Sequence, residues 1–289
     1  MISFLVAASE AGLNNPWRLI LPQLLDGPRN MAIDEAILTL VGEGHSPPTL
    51  RFYEWLQPWI SLGSGQSAGD LDPRRLAERQ WGTVRRASGG TAVLHLGQVG
   101  YAIVLPIGDP VWQGDLISSY ARLSGPFRRA FARVGASVEA ASPGENVRFT
   151  AGAPRLAERA CFGALGPYEL VADGRKFIGN SQIRRRHAAT QHGVIQVRNG
   201  QSELATVVAA DTDEERQQLA TYLASHVLSV SEKTGERIST PRLCAAIVTS
   251  LIETLGIQIL PGALDDREEN LAEELIETKY ANPDWTNRR

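Results

Sequence analysis

Gly82-Thr-Val-Arg85-Arg86-Ala-Ser88-Gly89-Gly90-Thr91-Ala-Val-Leu-His95, running on through Val99-Gly-Tyr-Ala-Ile-Val-Leu105, is the stretch that decides the fold. It reads as strand, glycine loop, strand. Its last segment, residues 99–105, is nearly all apolar and predicts a strand buried in a core. Two glycines after a strand let the backbone turn and present N–H groups to a ligand. Two arginines beside them suit a phosphate or carboxylate, although the same pattern describes a plain hairpin loop with solvated arginines.

Outward from this stretch the chain alternates in character. Asn30 followed by Ile33, Ala36, Ile37, Leu40 and Val41 predicts an amphipathic helix, stopped by Gly42, Gly44 and Pro47-Pro48. Residues 49–53 and 59–62 predict short strands, and Asp72-Pro73 opens a short helix. A helix is expected over 118–134, broken near Gly125-Pro126, and a long loop over 140–159. Residues 168–184 read as a hairpin around Asp173-Gly174, the favoured two-residue turn, and 193–197 as a further strand. Helices then follow over 212–230, 240–255 and about 266–280. Strands in the middle and helices on the flanks predict an α+β fold, a mixed or antiparallel sheet with flanking helices lying to one side. One domain spanning 1–289 is expected, its C-terminal part helical from about residue 202.

Bulk properties narrow the class. A 289-residue chain with 43% hydrophobic and 21% charged residues can bury a core without staples. A net charge of −3 gives no sign of nucleic-acid binding. Cys161 and Cys244 are the two cysteines, too few for a disulfide framework. Met1–Glu10 lacks a basic start, and no apolar run reaches the roughly 18 residues of a membrane helix, so no membrane association and a cytoplasmic location are expected. Lysine is rare here, being confined to Lys176, Lys233 and Lys279.

Four candidates for chemistry emerge, each with a plainer reading. His95 lies on the Thr91/Val93 face of its strand, as a pocket residue, a base, or a satisfied structural histidine. No partner sits at metal spacing, so no metal is expected. Lys176, beside Arg175, offers a depressed pKa or a fixed charge, or is a solvated hairpin lysine. Cys161 is a nucleophile if it meets those cations, or a small buried apolar residue if it does not. A straight run from Val171, the expected partner of Lys176, would leave Cys161 about 30 Å away at roughly 3.3 Å per residue. The chain must therefore turn back at residues 163–167, where Gly163, Gly166 and Pro167 permit it. Arg184-Arg185-Arg186-His187 is a basic run, suited to an acidic carrier protein or to solvent.

Taken in order, these segments resemble the lipoate-protein ligase and octanoyltransferase family, related to biotin-protein ligases and class II aminoacyl-tRNA synthetase cores. The resemblance covers roughly residues 17–285. It rests on Asn30-Met-Ala-Ile-Asp-Glu-Ala36, Arg51-Phe-Tyr-Glu-Trp55, the arginine–glycine stretch through His95, Gly174-Arg-Lys-Phe-Ile-Gly-Asn-Ser-Gln182, Gln191-His-Gly193, and the tail Lys279-Tyr280 with Asp284-Trp285. It implies a mixed sheet with flanking helices and an acyl pocket wrapped by the loop around Arg86. Cys161-Phe162, Tyr168-Glu-Leu-Val171 and Gly174-Arg-Lys176 are similar to the cysteine-containing, ligase-like octanoyltransferase branch. At this length the extra C-terminal domain of many ligases is not expected. Leu96, Thr91 and Asn180 depart from the family pattern, and Leu96 bears on how His95 is hydrogen-bonded.

The branch implies Cys161 and Lys176 as catalytic residues. It implies substrate contacts at Arg86, Ser88, Gly89, Gly90, His95, Gly179, Ser181, His192 and Gly193. The donor would be octanoyl-acyl carrier protein, the acceptor a lysine on a lipoyl domain or a glycine-cleavage H-type carrier, and no cofactor would be needed. Two family activities stand beside it: an ATP-dependent lipoate ligase with ATP and Mg, and an octanoyl amidotransferase between carrier proteins. A catalytically dead relative that binds carriers is a further reading.

Overall fold

The structure, a computed structural model, describes residues 16–142 and 152–288. Met1–Glu10 and residues 143–151 of the loop expected over 140–159 lie outside the described residues; within them that stretch ends one strand at Ala140 and forms a 3₁₀ turn over Arg155–Arg159.

Thirteen strands are described: β1 Trp17–Ile20, β2 Leu24–Leu25, β3 Thr49–Trp55, β4 Trp59–Leu62, β5 Gly82–Arg85, β6 Val93–His95, β7 Gln98–Pro106, β8 Glu139–Ala140, β9 Leu170–Ala172, β10 Arg175–Lys176, β11 Ile178–Arg184, β12 Ala188–Gln196 and β13 Ile259–Pro261. The helices are α1 Gly27–Gly42, α2 Pro73–Arg79, α3 Leu116–Arg133, α4 Asp213–His226, α5 Val230–Thr234, α6 Thr240–Leu255, α7 Asp266–Leu275 and α8 Pro283–Thr286. The main sheet runs β11-β12-β7-β3-β1-β13, with β2 beside β3. It is mixed: β11, β12, β7 and β3 pair antiparallel, whereas β3, β1 and β13 pair parallel. Two three-stranded sheets, β5-β4-β6 and β10-β9-β8, complete the strands.

Helices cover both faces of the main sheet, not one. Leu50, Phe52, Tyr101, Ile103 and Leu105 pack against Leu123, Phe127 and Phe131 of α3 and Leu243, Ile247 and Leu251 of α6. Tyr53, Ala102 and Val104 face Ile33, Ile37 and Val41 of α1. The reason is visible in β7, buried throughout from Gln98 to Leu105. A strand apolar on both faces needs a layer on each.

Other expectations change locally. α3 runs unbroken through Pro126, whose missing donor is outweighed by burial of Leu123, Pro126, Phe127, Ala130 and Phe131 along one stripe. The helix expected over 212–230 is two, because Val227 becomes extended and bridges Lys176, with Leu228 N–H donating to the Lys176 carbonyl at 3.0 Å. Ser229 then caps α5. The hairpin over 168–184 closes at Asp173-Gly174, where φ is 51° and 70°, and pairs β9 with β10. After buried Phe177, β11 crosses to the main sheet and joins β12 instead. β13 returns the C-terminal part to the main sheet beside β1. No helix among the described residues is long and apolar enough to cross a membrane.

Candidate active site

The glycine loop is held from beneath by its own arginines. Arg86 is buried and donates to the carbonyls of Ser61 at 2.8 Å, Gly89 at 2.8 Å and Thr91 at 2.9 Å. Arg85, fully buried, donates to Gly63 and Gln66 on one side and to Thr286 and Arg288 of the C-terminal tail on the other. Neither is a solvated loop arginine, and neither has its fork turned to an incoming anion. Both spend charge-assisted donors on backbone carbonyls that the tight loop would otherwise leave unpaired.

Cys161 reaches this loop through backbone pairing. The Ala92 N–H donates to the Arg159 carbonyl at 3.1 Å and the Cys161 N–H to the Ala92 carbonyl at 2.9 Å, so residues 159–161 lie along the strand leaving the glycines. A 3₁₀ turn over Cys161–Gly163 then buries Phe162 and leaves Cys161 half-buried. The chain turns back over 163–167, and Lys176, paired with Val171, comes beneath the turn. Its Nζ donates to the carbonyls of Cys161 and Ala164, each at 3.0 Å. Cysteine and lysine thus meet, but through the cysteine's carbonyl.

The ammonium is only 6% exposed and pairs with Glu169 Oε1 at 2.8 Å. Burial alone would depress its pKa; the charges of Glu169 and Cys161 outweigh that and hold it above the ordinary lysine value. Lys176 is therefore the fixed cation of the two readings. Arg86 is the other cation that feels the Cys161 sulfur; burial draws its own pKa down.

One cavity, about 440 Å³ including its open mouth, gathers most of the remaining candidates. Cys161, Arg86, Gly89, Gly90, His95, Gly179, Ser181, His192 and Gly193 all line it. Ser88 lies behind that wall, buried, with its Oγ 2.5 Å from His192 Nε2. Lys176 is absent from the lining, sealed under the cysteine turn. Met31, Tyr53, Val93 and Val194 supply apolar wall, which suits a hydrocarbon chain.

Glycines set the clearances. A Cβ on Gly179 would lie 3.1 Å from the Phe162 ring and 3.7 Å from Cys161 Sγ, so hydrogen there keeps space beside the sulfur. A Cβ on Gly193 would fall 2.4 Å from Asn180 Oδ1 and 2.5 Å from the Gly179 carbonyl, which no side chain survives. Asn180, one of the departures from the family pattern, accepts from Tyr101 OH at 2.6 Å in that space.

Two histidines differ in role. His95 Nε2 meets Ser61 Oγ at 2.8 Å, and its ring stacks on Trp55 at 3.8 Å. This contact satisfies Nε2 beside Leu96, whereas Nδ1 is buried without a hydrogen-bond partner among the described residues. Burial and the nearby Arg86 charge push its pKa well below the usual value, so it is neutral. His192 sits between Ser88 and Asp34, with Nδ1 3.7 Å from Asp34 Oδ2. Asp34 is fixed by Arg51 Nη1 at 2.6 Å, which also donates to Asn30. The sequence patterns assign no role to Asp34, Tyr53, Glu169 or Tyr222, although Asp34, Tyr53 and Glu169 stand inside quoted motifs. Tyr222 OH donates to the Gly163 carbonyl at 2.9 Å and steadies the cysteine turn from α4.

The basic run is mostly spent on structure. Arg184 donates to the carbonyls of Gly114 and Asp115, both at 2.9 Å, and Arg185 pairs with Glu35 at 2.5 Å. Arg186 and His187 stay exposed. Among the described residues no group of three or more His, Cys, Asp or Glu side chains is placed to hold a metal ion.

Comparison with known proteins agrees with this architecture. The family model of the lipoyl protein ligase A/B catalytic domain matches residues 26–252. Octanoyltransferase LipM of Kyrpidia tusciae is 34% identical over 274 residues, covering 94% of this chain and 99% of that protein. The protein of the same name from Moorella thermoacetica is 35% identical, covering 94% and 98%. A putative lipoate protein ligase from Thermoplasma acidophilum, solved with bound lipoic acid, superposes with a TM-score of 0.74 at 20% identity, covering 95% and 99%. A lipoate-protein ligase A bound with ATP gives 0.74 at 23% identity, covering 94% and 98%. A bipartite lipoate protein ligase, from a study that includes its E2 lipoyl domain, gives 0.76 at 22%, covering 95% and 97%. The chain belongs to the lipoyl protein ligase A/B catalytic-domain family and is an acyltransferase.

Proposed function

We propose that the protein transfers an octanoyl group from acyl carrier protein, through a thioester on Cys161, to a lysine of a lipoyl domain or H-type carrier, as a step of lipoate biosynthesis. The observation that carries the reading is the half-buried Cys161 at an apolar cavity, flanked by the Arg86 and Lys176 cations. Relatives named octanoyltransferase LipM along the whole matched length support the octanoyl specificity.

In the first half-reaction the Cys161 thiolate attacks the donor thioester. A new carbon–sulfur bond forms, the carrier's sulfur leaves and takes up a proton, and the chain lies along Met31, Tyr53, Val93 and Val194. β11 is an edge strand, so alternate N–H groups along it are free of the ladder. Those near Gly179 and Ser181, with the Lys176 charge behind them, offset the oxyanion. In the second, the acceptor amine, having lost its ammonium proton, attacks the acyl-enzyme; the carbon–sulfur bond breaks and the nitrogen's second proton goes to the departing sulfur. A thioester gives way to an amide, so the transfer runs downhill without ATP.

The experiment mixes purified protein, octanoyl carrier donor and apo acceptor, with and without ATP. ATP-independent octanoylation of the acceptor lysine supports the proposal. In a parallel mixture with free lipoate in place of the donor, modification that appears there alone and only with ATP selects the ligase chemistry of the ATP-bound neighbour instead.

A further inference from the structure

We infer that Glu169 is a positioning residue for the transfer, pinning Lys176 as an ammonium beneath the Cys161 turn so that a different group must deprotonate the acceptor amine. The inference rests on the acyl-transfer reading above.

The geometry is a closed set of contacts. Glu169 Oε1 takes the ammonium at 2.8 Å, and its Oε2 accepts the Gly166 N–H at 2.7 Å. The ammonium places its other two protons on the Cys161 and Ala164 carbonyls. An ammonium has three donors and no lone pair, so Lys176 is saturated. To act as a base it would have to surrender a proton while facing a carboxylate, the arrangement that most opposes that loss. Both side chains are buried, with 6% and 11% of their area exposed, so water screens the pair little.

Among the described residues the other titratable groups facing the pair are accounted for. Cys161 is the other acidic group of the turn. Tyr120 of α3 and Tyr101 of β7 feel the Glu169 charge, and burial first pushes both phenols up. Tyr222 of α4 is bound to Gly163, and His226 stacks on Tyr222, its Nδ1 held by Ser225. Lys233 of α5 pairs with Asp173 at the hairpin tip. The same carboxylate thus ties the hairpin to the turn on both sides, at Gly166 directly and at Cys161 through the lysine.

The chain's three lysines make a direct test practical. ¹⁵N-lysine labelling gives three Nζ signals, and that of Lys176 is identified by its loss in Lys176→Arg. In the native protein this signal titrates above the ordinary lysine value. In Glu169→Gln it moves below that value. The alkaline limb of acyl transfer moves down with it, while kcat falls roughly ten- to a hundredfold and KM changes little. Glu169→Asp, which keeps the charge, restores the raised Lys176 titration and part of the rate, and serves if the Gln variant unfolds. A Lys176 signal and alkaline limb that stay in place in Glu169→Gln overturn the inference, as does a Glu169→Asp variant no better than Gln. Transfer persisting in Cys161→Ala is a separate result, because it removes the thioester reading and leaves the titration measurement intact.

Discussion

Replacing Lys176 by Met removes the ammonium but keeps most of its volume. Three acceptors lose their donor: Glu169 Oε1, the Cys161 carbonyl and the Ala164 carbonyl. A buried carboxylate left without its cation costs about 3–5 kcal/mol. In a chain of this size each kcal/mol is worth roughly 2–4 °C in Tm, so a drop of about 6–20 °C is expected. The companion Lys176→Met/Glu169→Gln removes the buried charge and keeps an amide oxygen for the Gly166 N–H. Most of the loss then returns, and the double-mutant cycle gives a coupling of about 3 kcal/mol or more. Urea unfolding at pH 7.5 measures all four proteins. Additive effects, with the double variant as unstable as the sum of the singles, would refute the claim that pairing is what Glu169 and Lys176 do for each other. The sign with pH is fixed as well. The Lys176 pKa is raised above 10.5, so its contribution is complete below that value and is lost as pH rises through the higher folded value.

Gly193→Ala forces a methyl into Asn180 Oδ1 and the Gly179 carbonyl, so β11 must part from β12; a stability loss of about 1–3 kcal/mol or more by urea unfolding is expected, and an undiminished midpoint would contradict the packing. Gly179→Ala brings a methyl 3.1 Å from the Phe162 ring and 3.7 Å from Cys161 Sγ, so the ring must give by a few tenths of an ångström; the fold holds within about 1.5 kcal/mol while iodoacetamide labels Cys161 more slowly. Labelling at the native rate would show that the sulfur does not face Gly179. His95 is neutral when folded because its pKa lies below the ordinary 6.5; the stability this preserves is full above 6.5 and is lost as pH falls toward the folded value. His95→Gln should flatten that acid slope in unfolding measurements, and an equally steep slope in the variant would assign it elsewhere.

Much of the fold was legible because it is written in short-range patterns. The apolar run 99–105, the Asp173-Gly174 turn and the capped helices at Asp72-Pro73 and Thr240-Pro241 each carry a local signal, and each appears as an element of the structure. What was misread depends on partners remote in sequence. α3 keeps Pro126 because α6 and the sheet cover its stripe, and the helix after Thr212 breaks where Val227 pairs with the strand of Lys176. The site divides in the same way. The residues around the cavity stand in motifs that a resemblance can number. The direction of Lys176, the sealing of Arg85 and Arg86 under carbonyls, and the use of Arg184 and Arg185 in structural contacts follow from burial, which spacing does not encode.

The sharpest test is mass spectrometry of the intact protein after brief exposure to octanoyl-acyl carrier protein, with no acceptor and no ATP. One octanoyl group should appear, map to the peptide carrying Cys161, leave on treatment with hydroxylamine, and pass to a carrier lysine when apo acceptor is added. A protein that octanoylates the acceptor yet never carries the group itself, or does so equally well as Cys161→Ala, contradicts the account at its centre.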